Sequence, residues 1–188
     1  NVDLEQLVVI FDQPVADPPG DAEPGDVTNP GNWMLLEDGG DGVFDTVDCA
    51  TGPSAADTVV GIDGVRYAEA GRTATITVDG GGPLSDGLFR LVACGTTSVT
   101  DRAQNPLDGN SDGTGGDDFS LDFQIDTAAP ANPALGSSSH SVGEWSTSSE
   151  IQLSWSGAAD SGGVLGYSYL LDSAASTDPD ESTDQTHI

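Results

Sequence analysis

Apolar residues in this chain recur at every second position, in short runs broken by clusters of turn formers. In FSLDFQID, Phe119, Leu121, Phe123 and Ile125 fall on one side and Ser120, Asp122, Gln124 and Asp126 on the other. That is the side-chain period of a strand with one buried face. TATITV alternates in the same way through Ala74, Ile76 and Val78, whereas GLFRLVAC and LEQLVVIF are more continuously apolar and are expected to be more fully buried strands. The stretches DPPGDAEPGD, EDGGDG and DGGGPLSDG separate these runs with glycine, proline and aspartate. No segment carries a helical period. The expected class is all-β, an antiparallel sandwich.

The texture changes at DTAAPANP, Asp126 to Pro133, where prolines end the ladder. A domain is therefore expected over 1–126, a linker over 127–133 and a second, incomplete domain over 134–188. In the second, Ile151, Leu153 and Trp155 alternate with polar residues, and Tyr167, Tyr169 and Leu171 share a face of a further expected strand. A complete sandwich of this kind needs roughly 100 residues, so 134–188 supplies about half of one. Its missing strands are expected to come from a neighbouring chain or from residues outside this sequence. The first strand starts almost at residue 1, so an upstream part is expected as well.

Two resemblances sit on these residues. Leu7, Val9, Phe11, Pro14 and Val15, followed by Val99, Thr100, Asp101, Ala103, Asn105 and Leu107, match an L-x-V-x-F-x-x-P-V strand and a V-T-D-x-A-x-N-x-L stretch. In these, residues 5–126 resemble the bacterial Ig-like repeats found in tandem in exported and surface proteins. Gln104 stands where that pattern usually has glycine. The segment IQLSWSGAADSGGVLGYSYLLD, with Trp155 and Tyr167, resembles the first half of a fibronectin type III or related Ig-like module. Both resemblances imply Ig-like β-sandwiches used for spacing and adhesion, not catalysis.

Charge narrows the partners. The chain has 32 acidic residues against four arginines (Arg66, Arg72, Arg90, Arg102) and no lysine, for a net charge of -28. Such a field repels nucleic acid and anionic membrane, attracts cations, and keeps a secreted or salt-exposed protein soluble. No apolar run approaches a membrane span. Cys49 and Cys94 are the only cysteines. They lack metal-ligand spacing, and in an exported chain they are expected to form one bridge.

LDGNSDGTGGDDF, Leu107 to Phe119, is the densest acidic stretch. With Asp108 at position 1 of a calcium loop, Asn110 falls at 3, Asp112 at 5, Gly113 at 6 and Thr114 at 7, where a backbone carbonyl suffices. Position 12 is Phe119, which cannot ligate, so the last acid is expected to be Asp117 or Asp118. The expectation is a Ca2+ loop between strands, not an EF-hand. Asp38, Asp41 and Asp45 form a weaker candidate, and Asp101 with Asp126 a third, at the module junction.

Catalytic signals are weak. His140 and His187 are the only imidazoles and no G-x-S-x-G turn accompanies them. Among Trp33, Trp145, Trp155, Tyr167 and Tyr169, most are expected in the core. Trp145 stands in a loop-like setting and is the one candidate platform for a sugar. The expected function is thus a non-enzymatic, calcium-stabilised spacer or subunit of a surface assembly, contacting neighbouring repeats or chains. A carbohydrate-binding module, or an accessory region of a secreted hydrolase, is the alternative.

Overall fold

The structure, a computed structural model, describes residues 4–170. The chain divides into two compact units, Asn1–Thr127 and Ala128–Ile188. The first is a two-sheet antiparallel sandwich. Its strands are β1 (Gln6–Ile10), β2 (Trp33–Glu37), β3 (Thr58–Val60), β4 (Ile62–Ala68), β5 (Thr73–Val78), β6 (Gly87–Ala93) and β7 (Phe119–Ile125). One sheet runs β1-β5-β4 and the other β3-β2-β6-β7. Helical structure among the described residues is confined to three short 3-10 turns.

The core lies where the alternation puts it. Ala74, Ile76 and Val78 of β5 face Trp33 and Leu35 of β2 and Phe89, Leu91 and Ala93 of β6 in one buried cluster. Phe11, Val15, Val27 and Val99 close it from the connections. Trp33 is buried, and its indole N–H donates to the Val27 carbonyl at 2.8 Å. It is a core residue.

The second sheet is covered on its outer face too, which explains the continuous apolar run of β6. Leu36 and Val92, on that outer face, are buried, and full burial of such a side chain stabilises by roughly 1.5–3 kcal/mol. The cover is the long β2–β3 connection. Phe44 of this loop lies under the Arg90 guanidinium, 4.4 Å from ring centroid to Cζ. Cys49 of the same loop is bonded to Cys94 at the end of β6, with Cα atoms 5.6 Å apart. Asp57 holds the loop's shape by accepting from the Thr46 hydroxyl, the Thr46 N–H and the Asp45 N–H. Burial alone would raise its carboxyl; these hydrogen bonds, led by the Thr46 hydroxyl and helped by Arg90, outweigh that and hold it below the ordinary value.

Two strand expectations need correction. LEQLVVIF is not buried on both faces: Val8 is 60% and Ile10 70% exposed. Among the described residues β1 is an edge strand paired only with β5, and none of them covers its outer face as the β2–β3 loop covers β6. In β7, Leu121 is 49% exposed although it shares the apolar side with Phe119 and Phe123. It borders an open groove of about 770 Å³ between the edge strands β1 and β7.

The second unit pairs β8 (Ala134–Ser137) with β9 (Leu153–Ser156), Leu135 opposite Trp155. Trp155 packs on Tyr167 and Tyr169 at centroid distances of 5.6 and 6.1 Å. The strand expected through Tyr167 and Tyr169 is not formed over the described residues; only a single bridge residue stands there. Ile151 and Leu153 are 47% and 41% exposed, and among the described residues of this unit the two strands have no facing sheet to bury them. Leu171 and His187 lie outside the described residues.

Candidate metal centre

The acidic loop leaves β6 after Gly95 and returns at β7. Two devices shape it. Asp108 and Asp117 form a parallel bridge at its neck, and glycine is required where the strands of the loop touch. A Cβ on Gly109 would fall on the backbone of Asp118 and Phe119, and one on Gly115 on the Pro106 carbonyl. These glycines therefore serve close packing and not only mobility.

Within that frame, one carboxylate oxygen each from Asp108, Asp112 and Asp117 lies within 4.8 Å of the others. Backbone N–H groups aim them. Asp108 accepts from the Asp112 N–H at 3.0 Å and the Gly113 N–H at 2.8 Å. Asp112 accepts from the Thr114 N–H at 2.8 Å. Asp117 accepts from Gly109 and Asn110 N–H groups. The Asn110 side-chain oxygen takes the Asp112 N–H at 2.8 Å.

Asp118 points elsewhere. Its carboxylate accepts from the Cys49 N–H at 2.7 Å and from the Thr96 N–H and hydroxyl, both at 2.8 Å. Of the two acids that the sequence offers for the last ligand, Asp117 therefore joins the cluster, while Asp118 straps the disulfide loop to the end of β6. The donor set is all oxygen and includes three carboxylates, which suits a hard divalent cation and not a soft one. A carboxylate oxygen that accepts one N–H keeps a lone pair for a metal.

The other aspartate groups do not converge in this way. Among the described residues only the 108–112–117 group brings three such ligands together. Asp38 accepts from the Gly40 and Gly42 N–H groups at 3.1 and 2.6 Å, Asp41 from Val43 at 2.9 Å, and Asp45 donates its own N–H to Asp57. Asp101 caps its own turn through the Ala103 and Asn105 N–H groups and the Asn105 amide. Asp126 follows the β7 residue that pairs with Gly87, at the start of β6, while Asp101 lies beyond the other end of β6.

His140 Nδ1 lies 2.9 Å from the hydroxyl of its neighbour Ser139. Trp145 is fully exposed. No helix among the described residues is long and apolar enough to cross a membrane. Comparison with protein-family models, curated proteins and solved structures returns no match.

Proposed function

We propose that the chain is a non-catalytic structural and adhesive module of a secreted or cell-surface protein, an Ig-like sandwich whose acidic loop holds Ca2+. The convergence of the Asp108, Asp112 and Asp117 carboxylates on a rigid neck is the observation that carries this reading. Three like charges this close repel one another, and a bound divalent ion would turn that repulsion into a tether. Asn110 and the Thr114 carbonyl complete the proposed cage. The disulfide is compatible with export. Contact with neighbouring repeats or chains is supported by the edge positions of β1 and β7 among the described strands and by the exposed Val8, Ile10 and Leu121 on them. The second unit is read as a partial fibronectin-III-like module, supported by the packing of Trp155 on Tyr167.

Thermal melting of the full chain tests the calcium step, in chelator and across a calcium titration. An ion bound only by the folded state raises the melting temperature with concentration. Asp112→Asn should remove most of that rise, and an unchanged melt for the unaltered chain overturns the proposal. The fully exposed Trp145 favours a second reading, a glycan-binding module. Saturable glycan binding lost in Trp145→Ala would establish it.

A further inference from the structure

The two sides of the first sandwich are finished differently. On one side β3 ends at Val60 and β4 begins at Ile62, so Gly61 alone carries the chain from one sheet to the other. On the other side β1 and β7 belong to different sheets, and among the described strands neither pairs with the other. The groove of about 770 Å³ lies there, and the pairing of Val15 with Asp101 bounds it beyond the end of β1.

The two strands offer the groove different things. β1 lines it with every residue from Val8 to Ile10, whereas β7 gives only Phe119 and Leu121, two side chains of its core-facing side. In an antiparallel ladder alternate residues bond to the neighbouring strand, and those between them turn their backbone groups away. The Phe11 N–H donates to the Arg72 carbonyl, and the Glu5 carbonyl accepts from the Val78 N–H. The odd-numbered residues of β1 therefore bond to β5, and Val8 and Ile10 turn their N–H and C=O groups to the free edge. A strand added there would pair with Val8 and Ile10 and extend the first sheet over Phe119 and Leu121.

Charge selects the guest. Asp12, Asp101 and Asp108 line the groove, and no basic residue does. Arg72 donates to the Asp12 carbonyl but is not among the lining residues, and Arg102 is paired with Glu69. A second copy of this chain is a poor match, since it carries no lysine and a net charge of -28, and its alternating run FSLDFQID sets aspartates between the apolar residues. The terminal stretch SAASTDPDESTDQTHI is acidic and has no alternation. Lysine or arginine in a guest strand would lay its apolar stem along the exposed Val8 and Ile10 and carry its charge to the acids.

We propose that this groove receives an extended cationic segment of another polypeptide, matched to the five residues of β1, in which apolar residues alternate with lysine or arginine. The proposal rests on the reading of β1 and β7 as contact surfaces and is independent of calcium.

The probe is a peptide of about seven residues that alternates valine with lysine. It is titrated into the full chain in chelator at about 0.15 M salt, where non-specific attraction is screened. Fluorescence anisotropy reads binding, and amide hydrogen exchange reads its place. The expected result is saturable binding that slows the Val8 and Ile10 amides by about tenfold or more, and that weakens by at least about tenfold when glutamate replaces lysine in the peptide. Equal binding of the glutamate peptide, or protection of Val8 and Ile10 in the chain alone as its concentration rises, overturns the cationic guest while leaving the edge a contact surface. Absence of saturable binding, or binding that leaves the Val8 and Ile10 amides unprotected, overturns the groove as a strand acceptor altogether.

Discussion

Reduction of the Cys49–Cys94 bond offers the sharpest quantitative test of how the first unit is held together. The bridge joins residues 45 apart in sequence. In the chain-entropy account, a closed loop of that size removes enough freedom from the unfolded chain to stabilise the fold by about 4 kcal/mol. The folded state changes far less. The Asp118 carboxylate still bonds the Cys49 and Thr96 N–H groups, and Leu36 and Val92 still favour the cover over them. Reduction should therefore leave the structure in place and lower its stability. Amide hydrogen exchange at β6 reads this unit by itself. Core amides that exchange through global opening should speed up by about a thousandfold on reduction, the equivalent of about 4 kcal/mol. The Asp118→Asn variant should add its loss mainly in the reduced protein, where it is the remaining strap. If β6 amides accelerate less than about tenfold, or if only the loop amides respond, loop closure is not what the bond contributes.

Gln104 has φ 67, a left-handed conformation, and such a residue is strained by about 1 kcal/mol or more relative to glycine. Gln104→Gly should raise the melting temperature by the equivalent of about 0.5–1 kcal/mol after the added freedom of the unfolded chain is subtracted; an unchanged or lower melt refutes this. Gly109→Ala places a methyl on the Asp118–Phe119 backbone, so it should weaken calcium binding to the loop in calorimetry; unchanged binding would refute the proposed geometry of the cage. The Arg90 guanidinium, chiefly through its hydrogen bond, holds the Asp122 carboxyl below its ordinary value of 3.8. A depressed folded value means that this pair's stabilisation is complete above about pH 4 and is lost as pH falls through the folded value. The pair is partly exposed, so Asp122→Asn should cost less than about 1 kcal/mol at neutral pH and make acid unfolding shallower, which denaturant melts across pH would show.

The parts of the fold that one local pattern decides could be read directly. The period of two in TATITV placed Ala74, Ile76 and Val78 inward because β5 is central and has a sheet facing it. The reading of LEQLVVIF as buried on both faces, made from its continuous apolar run, went wrong, since edge position is set by which strands pair and not by the residues of the strand itself. In the second unit, Leu153 and Trp155 carry a strand pattern, but burial needs a second layer that the pattern cannot supply. The acidic loop was legible down to Asp108, Asn110 and Asp112. The choice between Asp117 and Asp118 was not, because the two are adjacent acids just before β7 and only the docked Cys49 loop shows which one is engaged. The burial of Asp26 gave no signal at all. In ADPPGDAEPGD it looks like a turn residue, yet it is fully buried and its carbonyl takes the Asn32 amide.

The charge of -28 is thus not a uniform solvated coat. Many of these aspartates act as acceptors for loop backbone: Asp38 for Gly40 and Gly42, Asp57 for Asp45 and Thr46, Asp86 for Thr127, Asp118 for Cys49 and Thr96. A short charge-assisted hydrogen bond is little affected by ionic screening over a Debye length of roughly 10 Å, whereas repulsion between separate carboxylates is screened. Salt should therefore relieve the unfavourable part of the field and leave the favourable part in place. Acid weakens the favourable part as well, because protonation takes away the charge that strengthens these hydrogen bonds. A fold fastened by carboxylates in this way tolerates salt and is exposed to failure at low pH, and the carboxylates that fasten its loops are distinct from the Asp108, Asp112 and Asp117 group that converges.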